Sequence, residues 1–180
     1  MRTFPLSALF VICLTAPAFA QDTPKVEIAA GYSVLHDQEP HANLHGWVAS
    51  VTGNVNRWLG IVGEFGQNHT TVDDLGDAHY DVNAFMVGPR FALRRSPKVT
   101  PFAQVLFGAH HAHVDVGSAD EGETSFAWQT GAGLDFWINP KAGIRLGGDF
   151  RHIHEDAHQD NHHHSEFRFQ AGFVFRFGTR

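Results

Sequence analysis

The chain has 180 residues, a formal net charge of −6, 18% charged residues and a single cysteine, Cys13. Its acidity argues against nucleic acid as a partner, since phosphates attract basic surfaces, and one cysteine excludes an internal disulfide or a thiolate metal site. No apolar run after Ala20 reaches the ~20 residues that a membrane helix requires, but strands that hide their hydrophobicity in every second residue remain open.

Residues 1–20 combine Arg2, an apolar stretch from Leu6 to Leu14, and Ala18-Phe19-Ala20 ahead of Gln21. This is the pattern of a secretory signal peptide, so residues 1–20 are expected to be cleaved and residues 21–180 to form one domain. Cys13 leaves with the leader. Ile12 stands where a lipid-anchored leader would need a small residue.

Period-two alternation then predicts eight strands: Val26 to Leu35, Leu44 to Val55, Trp58 to Asn68, Tyr80 to Arg94, Val99 to His111, Ser125 to Trp137, Ala142 to Ile153 and Ser165 to Phe177. The connections alternate in length. Asn56-Arg57, Arg95 to Lys98 and Ile138 to Lys141 are short, whereas His36 to Asn43, His69 to His79, Ala112 to Thr124 and His154 to His164 are long and polar. Short turns at one end and long loops at the other are the plan of a transmembrane barrel of an outer membrane. An even strand count returns both termini to the short-turn, periplasmic end, with the long loops extracellular.

The last strand shows the two faces most plainly. Phe167, Phe169, Phe173, Phe175 and Phe177 share one parity, and Glu166, Arg168, Gln170, Gly172 and Arg176 hold the other. The same division runs through all eight strands, with Val48, Val62, Met86, Phe102 and Leu106 as apolar exceptions on the polar face. A soluble lipocalin-like carrier would turn the aromatic face inward. Lipid on the outside is the better reading for two reasons. The lumen of eight strands has room only for modest side chains, and charges of both signs on the other face suit a closed interior, where an isolated charge is costly. The four tryptophans, Trp47, Trp58, Trp128 and Trp137, lie at strand ends and are expected to form two interfacial girdles.

Gln170, Gly172, Phe175 and Phe177 resemble the polar-x-Gly-x-x-aromatic-x-aromatic assembly signal of a closing strand, and Gly88-Pro89-Arg90-Phe91 is similar to a run common in the same proteins. On these motifs the chain resembles the small outer-membrane β-barrel family that includes the OmpA transmembrane domain and related eight-stranded surface proteins. That resemblance implies an all-β, antiparallel up-and-down barrel in a bacterial outer membrane. The partners it implies are the barrel assembly machinery during insertion, then outer-membrane lipids and lipopolysaccharide, with a monomer favoured. The chain departs from the family's usual ending by continuing through Gly178, Thr179 and Arg180.

On the inner face, Glu27, Glu64, Asp135, Asp149 and Glu166 meet Arg90, Arg94, Arg145, Arg151, Arg168 and Arg176. A hairpin centred on Pro140 would set Asp135 against Arg145, Gly133 against Gly147 and Gln129 against Arg151. Such charges read as a structural plug, and the sharper alternative is a narrow gated pore. All 14 histidines fall in or beside the four long connections, accompanied by acids. Imidazole and carboxylate are ligand types for zinc, nickel or copper, which makes His154, His158, His162, His163 and His164 candidate ligands of a metal-binding surface, although no defined ligand spacing appears. No cofactor is indicated. A hydrolase would need Ser, His and an acid together, and Ser165 with its neighbours His164 and Glu166 does not supply them, because adjacent strand residues point to opposite faces. The reading is a barrel with a structural or surface-interaction role, not an enzyme.

Overall fold

A computed structural model describes residues 23–37, 43–72, 78–116, 119–154 and 163–179. The leader and the centres of the long connections, with His158 and His162, lie outside the described residues. The strands are β1 (Pro24–Asp37), β2 (Asn43–Asn54), β3 (Leu59–Val72), β4 (Ala78–Ala92), β5 (Val99–Val116), β6 (Ala119–Trp137), β7 (Ala142–His154) and β8 (His163–Thr179). Each pairs antiparallel with the next, and β1 pairs with β8 to close the barrel.

The three short turns are made by the same device. Asn56 Oδ1 accepts hydrogen bonds from the backbone N–H of Trp58 and Leu59, both at 2.9 Å. Asn139 Oδ1 does the same for Lys141 and Ala142, also at 2.9 Å, and Ser96 Oγ accepts from the Lys98 N–H at 3.3 Å. Each side chain replaces a backbone acceptor and tightens the reversal. These turns set the registers of the hairpins they join. In β6 and β7, Asp135 pairs with Arg145, Gly133 with Gly147 and Gln129 with Arg151, as the hairpin about Pro140 predicts.

The face division is as expected. Phe173 on β8 is 62% exposed and Arg168 on the same strand is 2% exposed. The apolar row therefore points away from the barrel axis, and a carrier with an aromatic cavity is overturned. Two expectations need correction. Trp137 shares the parity of Asp135 and is buried, so it belongs to the lumen and not to a girdle; Trp47, Trp58 and Trp128 do face outward. The stretch 112–124 is also not mainly a loop, because β5 and β6 remain paired as far as Val116 and Ala119. A hairpin that projects into water needs no apolar face, so its strands carry little hydropathy signal.

The seam between β1 and β8 is close-packed through Gly31 and Gly172, which are Cα partners. A Cβ added at Gly31 would lie 2.6 Å from Gly172 Cα and 2.8 Å from the Ala171 carbonyl carbon, both backbone atoms of the other strand. Gly31→Val is expected to destabilise the barrel by about 1–3 kcal/mol, the range for forced overpacking. The check is the fraction that keeps folded mobility on unheated gels as denaturant is raised, where a midpoint equal to the parent's would contradict the tight seam.

Candidate functional site

The lumen and the long-loop rim are the two regions where chemistry concentrates. Lumen side chains come from the inward parity of all eight strands. Their charges balance: among the described residues the buried carboxylates are Glu27, Glu64, Asp135, Asp149 and Glu166, and the buried guanidiniums are Arg90, Arg94, Arg145, Arg151 and Arg168.

At the short-turn end Arg94 meets Glu27 at 2.8 Å and donates to Asn54 Oδ1 at 3.0 Å and to the Arg57 carbonyl at 2.9 Å. Arg145 grips Asp135 with two hydrogen bonds of 2.7 and 2.9 Å and approaches Glu27 at 3.8 Å. Arg90 donates to Gln104 and, at 2.9 Å, to Thr52. The Arg90 and Arg145 guanidiniums each lie over the Phe102 ring, 4.7 Å from its centre. An aromatic face attracts cations, which accounts for this apolar exception on the polar face.

Farther along, Arg168 bridges Glu64 and Asp149, the latter at 3.0 Å. Gln129 donates to Glu64 at 3.0 Å, and Gln170 to Asp149 at 2.8 Å. Arg151 donates to Gln129 Oε1 and pairs with Glu166 at 3.3 Å, and His110 lies 3.6 Å from the same carboxylate. Val62, Ala84, Met86, Leu106, Ala127 and Ile153 form an apolar cluster within this lumen. Below these ion-paired groups Trp137 donates its indole N–H to Thr100 at 3.0 Å, and the Arg176 guanidinium lies 3.9 Å from the centre of its ring. Of the six arginines expected inside, five are buried in the network. Arg176 sits at the mouth, partly exposed.

The long-loop rim has a charge pattern that counting by loop does not reveal. Segments 36–46, 67–81, 109–125 and 152–165 contain no lysine or arginine, yet they hold all 14 histidines and 13 of the 19 acids. Lys25, Arg57, Arg95, Lys98, Lys141 and Arg176 lie at or beside the opposite end. Several histidines have outward parity, including His36, His45 and His69, which are exposed. His111 bonds to Thr124 Oγ1 at 2.8 Å.

His152 stacks on Trp128, with ring centres 4.5 Å apart, and Ser165 Oγ lies 3.1 Å from its Nδ1. Ser165 thus finds its histidine across the strand pair, not beside it in sequence. Phe150 lies against the same ring in an edge-on contact, with ring centres 4.6 Å apart. Of the candidate metal ligands, His154 and His163 are Cα partners in the β7–β8 ladder and His164 pairs with Ile153. Among the described residues no three His, Asp or Glu side chains converge on one point.

A family model described as outer membrane protein beta-barrel domain matches residues 6–177. Among solved structures the chain is similar to Neisserial surface protein A, with 15% identity over 84% of this chain and 96% of that chain and a TM-score of 0.67. It is similar to Ail, the attachment invasion locus protein of Yersinia pestis, with 20% identity, 85% and 99% coverage and a TM-score of 0.59. Ail has also been solved in complex with the heparin analogue sucrose octasulfate. The outer membrane protein OprG from Pseudomonas aeruginosa shares 10% identity over 88% of this chain and 98% of that chain, with a TM-score of 0.60. No curated protein matches the chain.

Proposed function

The chain belongs to the outer membrane protein β-barrel domain family, whose place is the bacterial outer membrane, and we propose that it is a closed barrel acting through its surface and not by conduction. The leader of residues 1–20 is removed on export, the termini are periplasmic and the long connections face outward. The barrel assembly machinery inserts the chain, which then stands as a monomer among lipids and lipopolysaccharide. We assign it no enzymatic role and no cofactor.

The observation that carries this reading is the set of three buried ion-paired groups in the lumen among the described residues, around Glu27 and Arg145, Glu64 and Arg168, and Arg151 and Glu166, the last two joined through Gln129. Eight strands leave a lumen that side chains can fill, and the buried ion pairs and their amide partners support a closed interior. Purified protein in planar bilayers is expected to pass no unitary current, and the double variant Asp135→Asn, Arg145→Gln is expected to stay silent too. Current steps in the parent protein would reject the closed lumen. Steps in the variant alone would favour the narrow gated pore.

The rim restricts the kind of surface partner. Ail is a structural relative crystallised with a polyanion, but the outer segments here carry no lysine or arginine to receive one. At neutral pH an acid-rich crown repels polyanions and attracts cationic or metal-bridged partners. The protein is therefore expected to pass through an immobilised heparin column at pH 7.5 and to be retained by immobilised polylysine; retention on heparin would overturn this assignment.

A further inference from the structure

We infer that His45 and His69 form a binding site for a late first-row divalent transition metal, copper or zinc, on the outward face of β2 and β3. This goes beyond the closed-barrel reading and does not depend on it. The two histidines are Cα partners in the β2–β3 ladder, and both are exposed. Directly opposed residues on adjacent strands have Cβ atoms about 4.5–5.5 Å apart. That spacing lets two imidazoles reach one ion through bonds of about 2.0–2.1 Å.

The row continues, because His69 is also the Cα partner of Asp81 on β4. Asp81 is in turn the partner of His113 on β5. Register therefore places ligand-type residues at the same level on four consecutive strands. Asp81 shares the outward parity of Phe85, which is 60% exposed. Since no three ligand side chains converge among the described residues, the site is an open one, with two protein nitrogens and the remaining positions left to water or to the Asp81 carboxylate after it turns.

A second observation concerns orientation. The Tyr32 hydroxyl is hydrogen-bonded to His45 Nδ1, and the two rings lie nearly parallel, 21° apart. A ligating histidine commonly has its other ring nitrogen held by such a partner, which fixes the tautomer and the direction of the free nitrogen. Metal binding here selects the form in which Nδ1–H donates to the Tyr32 oxygen and Nε2 offers its lone pair. Tyr32 is thus a positioning residue. The ligands are borderline nitrogen and oxygen donors with no thiolate, a set that ranks copper above zinc and gives magnesium or calcium little purchase.

The test uses the refolded protein in detergent with His154, His158, His162, His163 and His164 replaced by Asn, which removes the candidate ligands of the connection between β7 and β8. Folding of every variant is checked by its mobility on unheated gels. Cu²⁺ titration followed by electron paramagnetic resonance is expected to show one ion bound with two imidazole nitrogens. His69→Asn should leave one nitrogen, and Tyr32→Phe should weaken binding by about tenfold, as loss of an orienting partner does. If His45→Asn and His69→Asn both titrate like their parent, or if the parent shows a single-nitrogen signal, the inference is wrong. The bilayer recordings give their answer whatever the outcome here.

Discussion

Replacing Arg168 by methionine is expected to lower the unfolding free energy by about 3–5 kcal/mol, the range measured when one partner of a buried ion pair is removed. Arg168 is fully buried and bridges Glu64 and Asp149, which lie on different strands. Methionine fills much the same volume but leaves both carboxylates facing each other without their shared cation. The loss should be partly restored by adding Glu64→Gln and Asp149→Asn, which remove the stranded charges. Urea titration in lipid vesicles, followed by tryptophan fluorescence, supplies the numbers. If Arg168→Met unfolds at the parent's midpoint, these ion pairs contribute nothing to stability and the closed lumen loses its physical basis.

Phe173→Arg should cost about 2–4 kcal/mol, the penalty for a cation on the lipid face near the bilayer midplane. Phe173 is the most exposed phenylalanine of β8 and lies near the strand's middle. The same change at Phe177, near the short-turn end of the row, should cost about 0–1 kcal/mol because the penalty falls toward the interface. That depth dependence separates contact with hydrocarbon from mere exposure. Equal effects at the two positions in a bilayer would contradict the lipid-facing assignment.

Much of this architecture can be read from residues alone because alternation, turn chemistry and charge agree. Asn139-Pro140 fixes its turn, and the partners of Asp135, Gly133 and Gln129 follow by counting outward. The inward position of Trp137 was equally available, since it is two residues from Asp135, but nearness to a turn suggests a girdle more readily than parity suggests a lumen. The extension of β5 to Val116 is harder to see: a hairpin standing in water has no face to keep apolar, so composition resembles that of a loop. Contacts across strands needed the register itself. Neither Ser165 with His152 nor His45 with His69 is near in sequence, and grouping histidines by connection conceals which of them share a side of the sheet.

The ladder joining β1 to β8 runs from Pro24 opposite Thr179 to Asp37 opposite Glu166. The partner of the earliest strand is therefore the latest to be synthesised. Until β8 is delivered, the backbone groups along one side of β1 and one side of β7 have no protein partner, and hydrocarbon offers none. Insertion must wait for the whole chain or proceed with a temporary escort at those two margins, and a polypeptide cut short before residue 163 is expected to be held at the periplasmic side as prey for proteases.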